Sequence, residues 1–226
     1  MASNESPTTN SSTARANILA RIRKGLGRGA HPSQAALASL ETYLNAHPRG
    51  PLRPVQGDLA AYFCERANAM QSTTATVATL QEVPAEAARY LKAMNLDATG
   101  CIWPALEHLD WQAAGIAVEP RAAVDADKIG ITGAYAAIAE TGTLMVLSGA
   151  DTPSSVSLLP ETHIAILDAG RIVPHMEDVW ALLRAGQGRP PRAVNFISGP
   201  SRTGDIEQTI IIGAHGPFRV HIIVAG

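Results

Sequence analysis

The chain reads as an α/β protein with a mostly parallel sheet covered on both faces. Two observations predict this. Apolar, β-branched runs (Thr73 to Leu80, Ile129 to Thr132, Ile164 to Leu167, Val194 to Ile197) are interleaved with helical patterns. Glycines and polar residues gather where these runs end, which is where α/β proteins build ligand sites.

Taken in order, residues 1–13 are mostly Ser, Thr, Asn and Pro, too polar to bury, and are expected to form a disordered tail. Ser12 or Thr13 caps a helix from Ala14 to Leu26, with Ile18, Leu19, Ile22 and Leu26 on one face and Arg15, Arg21, Arg23 and Lys24 around the rest. A second helix is expected from Ser33 to Ala46, with Leu37, Leu40, Tyr43 and Leu44 inward, and the Pro-rich stretch His47 to Pro54 is a rigid connector. Residues 14–56 thus form a helical arm and connector, and 57–226 the α/β domain. Within that domain helices are expected over Asp58 to Met70, from Pro84 onward, and over Met176 to Arg184. Short strands are expected at Cys101 to Trp103, Gly115 to Val118 and Thr143 to Leu147. The runs Thr209 to Ile212 and Val220 to Val224 read as a closing antiparallel pair.

Composition narrows the function classes. Hydrophobic residues make up 46% of the 226, enough for a sizeable core in one large domain or two small ones. Aromatics are only 4%, which argues against a base-stacking surface, and a net charge of −2 gives no pull toward nucleic acid. No run approaches the roughly 18 apolar residues of a membrane span, and no secretory leader opens the chain. Cys64 and Cys101 are too few for an iron–sulfur cluster and are expected to be ordinary thiols.

Three constellations can carry chemistry. In the first, Ala139-Glu140-Thr141-Gly142-Thr143, Glu140 sits at a turn where its carboxylate can face a ligand and backbone amides can hold an anion; the bland alternative is a tight turn with Glu140 solvated. The second runs from Pro153 to His163. Hydroxyls such as Ser155 can meet anionic oxygens, and His163 can act near neutral pH or be a capped structural histidine. The third places Gly199, Ser201, Arg202, Asp205 and Glu207 after the strand ending at Ile197. Arg202 suits a carboxylate or phosphate, or pairs internally with Asp205. His215, beside Gly216, is an acid–base candidate or a turn residue. Phosphate-loop, dinucleotide, nucleophile-elbow and His-Glu-x-x-His motifs are missing, and His215 and His221 lack zinc spacing. His175 and Glu177 read as first-turn helix residues.

With these segments in hand, the chain resembles the lactate utilization protein C family. The likeness rests on Ala14 to Leu26, Ile129 to Thr143, Ser157-Leu-Leu-Pro-Glu-Thr-His163, and Ser198 to Glu207 through Gly213-Ala-His-Gly-Pro217, and it spans nearly everything after residue 13. It implies a Rossmann-like three-layer α/β/α sandwich, similar to the group of CoA transferases, ribose-5-phosphate isomerases and formyltetrahydrofolate cyclo-ligases. It also implies a cytoplasmic bacterial protein working in oxidation of L-lactate to pyruvate beside two iron–sulfur proteins, which carry the clusters while this chain binds no cofactor. Glu140, Thr141, Gly142, Thr143, Ser201, Arg202, Asp205, Glu207, His215 and Gly216 match the family's motifs. On this reading Arg202 and amides near Gly142 and Gly199 hold a small anion such as lactate, and Glu140 or His215 handles protons. Two other classes stay open. One is a free-standing isomerase, cyclo-ligase or acyl-CoA transferase with Glu140 as nucleophile or base. The other is an assembly module whose polar loops bind protein.

Overall fold

Capping side chains start two helices where the sequence places them, at Ser33 and Asp58, whereas the first helix begins at Thr9, so that Ser12 and Thr13 lie inside it and not at its cap. Ser33 Oγ accepts from the Ala36 amide at 3.2 Å, and Asp58 Oδ1 accepts from Ala60 N at 2.8 Å and Ala61 N at 3.4 Å. A computed structural model describes residues 9–29, 31–206 and 209–226. Met1 to Thr8 of the expected tail lie outside the described residues. The elements are α1 (Thr9–Gly25), α2 (Gln34–Ala46), α3 (Leu59–Ala69), β1 (Thr73–Val77), α4 (Val83–Ala93), β2 (Thr99–Ile102), β3 (Ala117–Pro120), β4 (Ile129–Gly133), β5 (Ala136–Ile138), β6 (Thr143–Leu147), α5 (Ser155–Leu158), β7 (Thr162–Asp168), β8 (Ile172–Val173), α6 (Met176–Gln187), β9 (Val194–Ile197), β10 (Arg202–Ile206), β11 (Thr209–Ile212) and β12 (Arg219–Ala225).

Residues 1–51 and 52–226 form two units. In the first, Leu37, Leu40, Tyr43 and Leu44 of α2 do not turn inward: all four are exposed, as are Ile18, Leu19 and Ile22 of α1 and Leu26 just after it. Two short helices hold too little chain to close a core of their own.

In the second unit, six strands form a sheet in the order β1-β12-β7-β4-β2-β3, with every neighbouring pair parallel. Its two faces bury separate apolar clusters. Ile102, Ile129, Ile131, Ile164, Ile166 and Ile223 pack under Val83, Ala87 and Leu91 of α4. Ala165, Leu167, Val220, Ile222 and Val224 meet Phe63 and Ala67 of α3 and Leu144 and Val146 of β6. The second of these layers contains a smaller, four-stranded sheet in the order β8-β5-β6-β9, whose outer face is covered by Val179 and Leu183 of α6. The helices and the parallel six-stranded sheet give a Rossmann-like α/β/α architecture.

The C-terminal runs also depart from expectation. The two C-terminal runs are not an antiparallel pair. Thr209–Ile212 pairs antiparallel with Arg202–Ile206 in a separate ribbon, whereas β12 enters the central sheet between β1 and β7. Ile222, Ile223 and Val224 are buried, as a strand flanked on both sides and covered on both faces requires, while Ile210 is 71% exposed.

Two imidazoles are sealed inside this sheet. His163 of β7 is fully buried and its Nε2 lies 2.7 Å from Thr132 Oγ1. His221 of β12 stacks on Tyr90 with ring centroids 3.8 Å apart, and its Nδ1 lies 2.8 Å from Thr73 Oγ1. Burial lowers both histidines to about 4, because the charged form cannot be hydrated there. Burial also drives the Cys101 thiol up to about 12, which keeps it inert.

The sign of the pH dependence follows. Both histidines are neutral in the folded state down to about pH 4, while the unfolded chain takes up their protons near 6.5. The unfolded state therefore binds more protons between these values, and stability present above about pH 6.5 is lost as pH falls toward 4, on the order of 3 kcal/mol for each group. Denaturant titrations of the wild type and His163→Leu across this window should show a shallower pH dependence in the variant. Parallel curves would contradict the assignment.

Candidate functional site

The small sheet assembles the polar residues. In β5 and β8, which run parallel, Ile138 lies opposite Val173. Glu140 and His175 each follow two residues beyond those ends, so the strand register brings them together. The Glu140 amide donates to Pro174 O at 3.1 Å, and His175 Nδ1 lies 3.0 Å from Glu140 Oε2. An ionised carboxylate only accepts, so a hydrogen bond between the two puts the proton on Nδ1. Asp178 fixes the backbone of the pair, its Oδ2 accepting from His175 N at 3.1 Å at the start of α6. Glu140 is one-quarter exposed and His175 about one-tenth, so the pair is sheltered yet reachable.

Hydroxyls continue the row. Thr143 lies opposite Ile138, and Leu144 opposite Ile197 of β9. This places Thr141, Thr143 and Ser198 beside Glu140. Thr141 Oγ1 and Thr143 Oγ1 are 2.8 Å apart, and Ser198 Oγ donates to Thr141 O at 3.5 Å. Because β6 is antiparallel to both β5 and β9, strands β5, β8 and β9 point the same way and share one carboxyl edge. That edge carries Glu140, His175 and Ser198. It is the kind of edge at which α/β sheets place ligands.

Two glycines press this edge onto the end of α3. Gly142 has φ +62, and a Cβ there would lie 2.3 Å from Ala67 N. Gly199 has φ +76, and its Cβ would lie 2.1 Å from Met70 O. Both positions exclude a side chain by conformation and by space. Arg202 meets the same helix end: its Nη2 donates to Met70 O at 3.1 Å and to Gln71 Oε1 at 2.8 Å. The guanidinium thus caps the carbonyl end of α3, where a cation is favoured.

The other sequence candidates go elsewhere. Ser155 opens α5, and its Oγ accepts from Ala123 N at 3.1 Å. His163 is inside β7 and not on the preceding loop. Ser201 lies at the base of the ribbon, its amide donating to Pro217 O and its carbonyl accepting from Gly213 N, with Gly216 packed against its side chain. His215 is exposed in the turn between β11 and β12. Glu207 and the Asp205 side chain lie outside the described residues. His175 is what the sequence reading missed. It is the N-cap of α6, and only the β5/β8 register reveals its partner. A hollow of about 670 Å³ runs along β3, floored by Leu109, Trp111 and Ile116. It shares no residue with the Glu140–His175 edge, and the convergent polar groups mark that edge as the candidate site.

Comparison with known proteins places this edge inside a recognised domain. The LUD domain model matches residues 63–225. The chain is 48% identical over 99 residues to lactate utilization protein C of Halalkalibacterium halodurans, covering 42% of this chain and 43% of that protein. It is 40% identical over 118 residues to lactate utilization protein C of an Exiguobacterium species, covering 50% of each. With lactate utilization protein C of Bacillus subtilis the identity is 39% over 99 residues, covering 42% of this chain and 41% of that protein. The matched stretches span about half the length of these curated relatives or less. Among solved structures, a DUF162 family protein from Deinococcus radiodurans superposes with a TM-score of 0.59 at 26% identity, covering 76% of this chain and all of that one.

The glycine contacts give a direct stability test. Gly199→Ala is expected to lose at least about 2 kcal/mol of unfolding free energy, since backbone must move on both sides. Gly204→Ala, where an added Cβ meets nothing within 4 Å, should stay within about 0.5 kcal/mol of the wild type. Urea denaturation measures both; equal losses would sink the packing account.

Proposed function

The chain belongs to the LUD domain family, and from that premise we propose that it is the non-cluster component of an L-lactate-oxidising system. In this reading it binds a small carboxylate in the cytoplasm and works beside two iron–sulfur proteins, which hold the redox groups. Two things support it: the likeness to proteins named lactate utilization protein C, and a sheltered acid–base pair at a strand edge. The pair carries the argument, because Glu140 Oε2 holds His175 Nδ1 at 3.0 Å beside the Thr141, Thr143 and Ser198 hydroxyls.

Oxidation of a 2-hydroxy acid to a 2-oxo acid removes two electrons and two protons. The His175 imidazole is suited to take the hydroxyl proton, with the carboxylate of Glu140 stabilising the imidazolium that forms. The Thr141, Thr143 and Ser198 hydroxyls are suited to orient polar oxygens of the substrate. The Cα–H bond gives up the two electrons, its hydrogen leaving as the second proton, and iron–sulfur clusters held by the partners would supply the one-electron acceptors.

The test is L-lactate oxidation with an artificial electron acceptor, run with the chain alone, the two iron–sulfur partners together, and all three. Activity with all three and neither subset is the expected outcome. Full activity from the partners without this chain would remove it from the oxidising machinery, and turnover by the chain alone would make it a separate enzyme. In the complete system Glu140→Gln should lower kcat about 100-fold or more with KM little changed. A Glu140→Gln complex as fast as wild type would exclude the pair from proton transfer.

A further inference from the structure

The arm of α1 and α2 shows an apolar surface that its own unit leaves uncovered. Ile18 and Ile22 of α1, and Leu26 just after it, are each more than half exposed. A crevice of about 910 Å³ lies between the two helices, with Ile22, Leu26 and Leu40 in its wall. Charge then narrows what can cover this surface. Residues 1–51 carry six Arg and Lys against two acids, and α1 holds no acid at all. Residues 52–226 have the opposite balance, twelve against eighteen. Two arms facing each other would juxtapose like charges, so an arm does not pair with its like. Its counterpart is a recess with an apolar floor and an acidic margin. The hollow of about 670 Å³ along β3 is such a recess: Leu109, Trp111 and Ile116 form its floor, Glu107 and Asp110 stand exposed in its wall, and no Lys or Arg is among its lining residues.

We propose that α1 docks in the β3 hollow of a second copy of this chain, and that the exchange is reciprocal. Each copy then supplies one arm and one hollow, and the assembly closes as a two-fold dimer. The apolar face of α1 covers the floor of the hollow, and Arg21 and Arg23 meet Glu107 and Asp110 at its margin. Pro48, Pro51 and Pro54 stiffen the connector after α2, and a semi-rigid spacer favours a neighbouring copy over doubling back. An anionic lipid surface is the poorer match, since residues 9–51 hold no Trp or Phe, the aromatic side chains that help seat helices in a membrane interface. The interface uses no residue of the Glu140–His175 edge and is independent of the lactate reading.

Sedimentation velocity of the full chain tests it through a charge swap. The wild type should be a dimer that weakens as salt is raised. The double variants Arg21→Glu/Arg23→Glu and Glu107→Lys/Asp110→Lys should each weaken self-association at least about tenfold. All four side chains are exposed, so the fold is spared. Mixing the two variants should restore the dimer, because each arm then meets a hollow of opposite charge. A wild type that stays monomeric up to about 100 µM overturns the proposal. So do variants that dimerise like the wild type, which would put the interface elsewhere, and a mixture that stays apart, which would mean that arm and hollow do not meet. Phosphatidylglycerol vesicles that bind the wild type and dissociate its dimer would assign the arm to a membrane surface and overturn it too.

Discussion

At the end of α3, two polypeptide segments meet without a side chain between them. Gly142 lies against Arg66 and Ala67, and Gly199 against Met70. Each glycine follows the carboxyl end of a small-sheet strand, β5 in one case and β9 in the other. The helix therefore fixes the height of both loops at once. Glu140, two residues before Gly142, and Ser198, one before Gly199, inherit their positions from that approach. Arg202 ties the next strand to the same helix end through Met70 O. The polar edge is held by backbone packing on a helix terminus, and its side chains remain for ligand.

The two sheets divide the work. The central strands of the parallel sheet are covered on both faces, and burial keeps the two histidines there neutral, His163 beside Thr132 and His221 beside Thr73 and Tyr90. A charge-handling site cannot be placed there. The small sheet has α6 on one face and the main core on the other, but the carboxyl edge of β5, β8 and β9 stays partly open to solvent. Pairs of polar groups with a protected side and an accessible side are what proton transfer needs. Glu140 and His175 have that placement.

Much of this was legible in the sequence. The runs at Ile129, Thr143, Ile164 and Val194 are strands because β-branched residues fill a sheet covered on both faces. The Glu140 to Thr143 turn and Ser198 do meet at one edge, while Ser201 lies at the base of the ribbon and Arg202 on the end of α3. Their roles were harder to read. Gly142 and Gly199 look like anion-cradle glycines until the neighbouring helix is seen, since close approach to a ligand and close approach to a backbone demand the same residue. Arg202 is a helix cap for a similar reason: a carbonyl end and an anion both attract a guanidinium. His175 was invisible because the β5/β8 register that pairs it with Glu140 spans 35 residues of chain. Local pattern also failed for β12, whose apolar run fits a hairpin or a central strand equally well; long-range pairing with β1 and β7 decides it.

Amide hydrogen exchange on the wild type and Arg202→Met tests this dependence on the end of α3 most directly. If that helix end organises the edge, the variant loses protection together in the last turn of α3, in residues 139–143 and in residues 198–203, while β4, β7 and β12 keep theirs. Loss confined to the β10–β11 ribbon, with 139–143 unchanged, would contradict it.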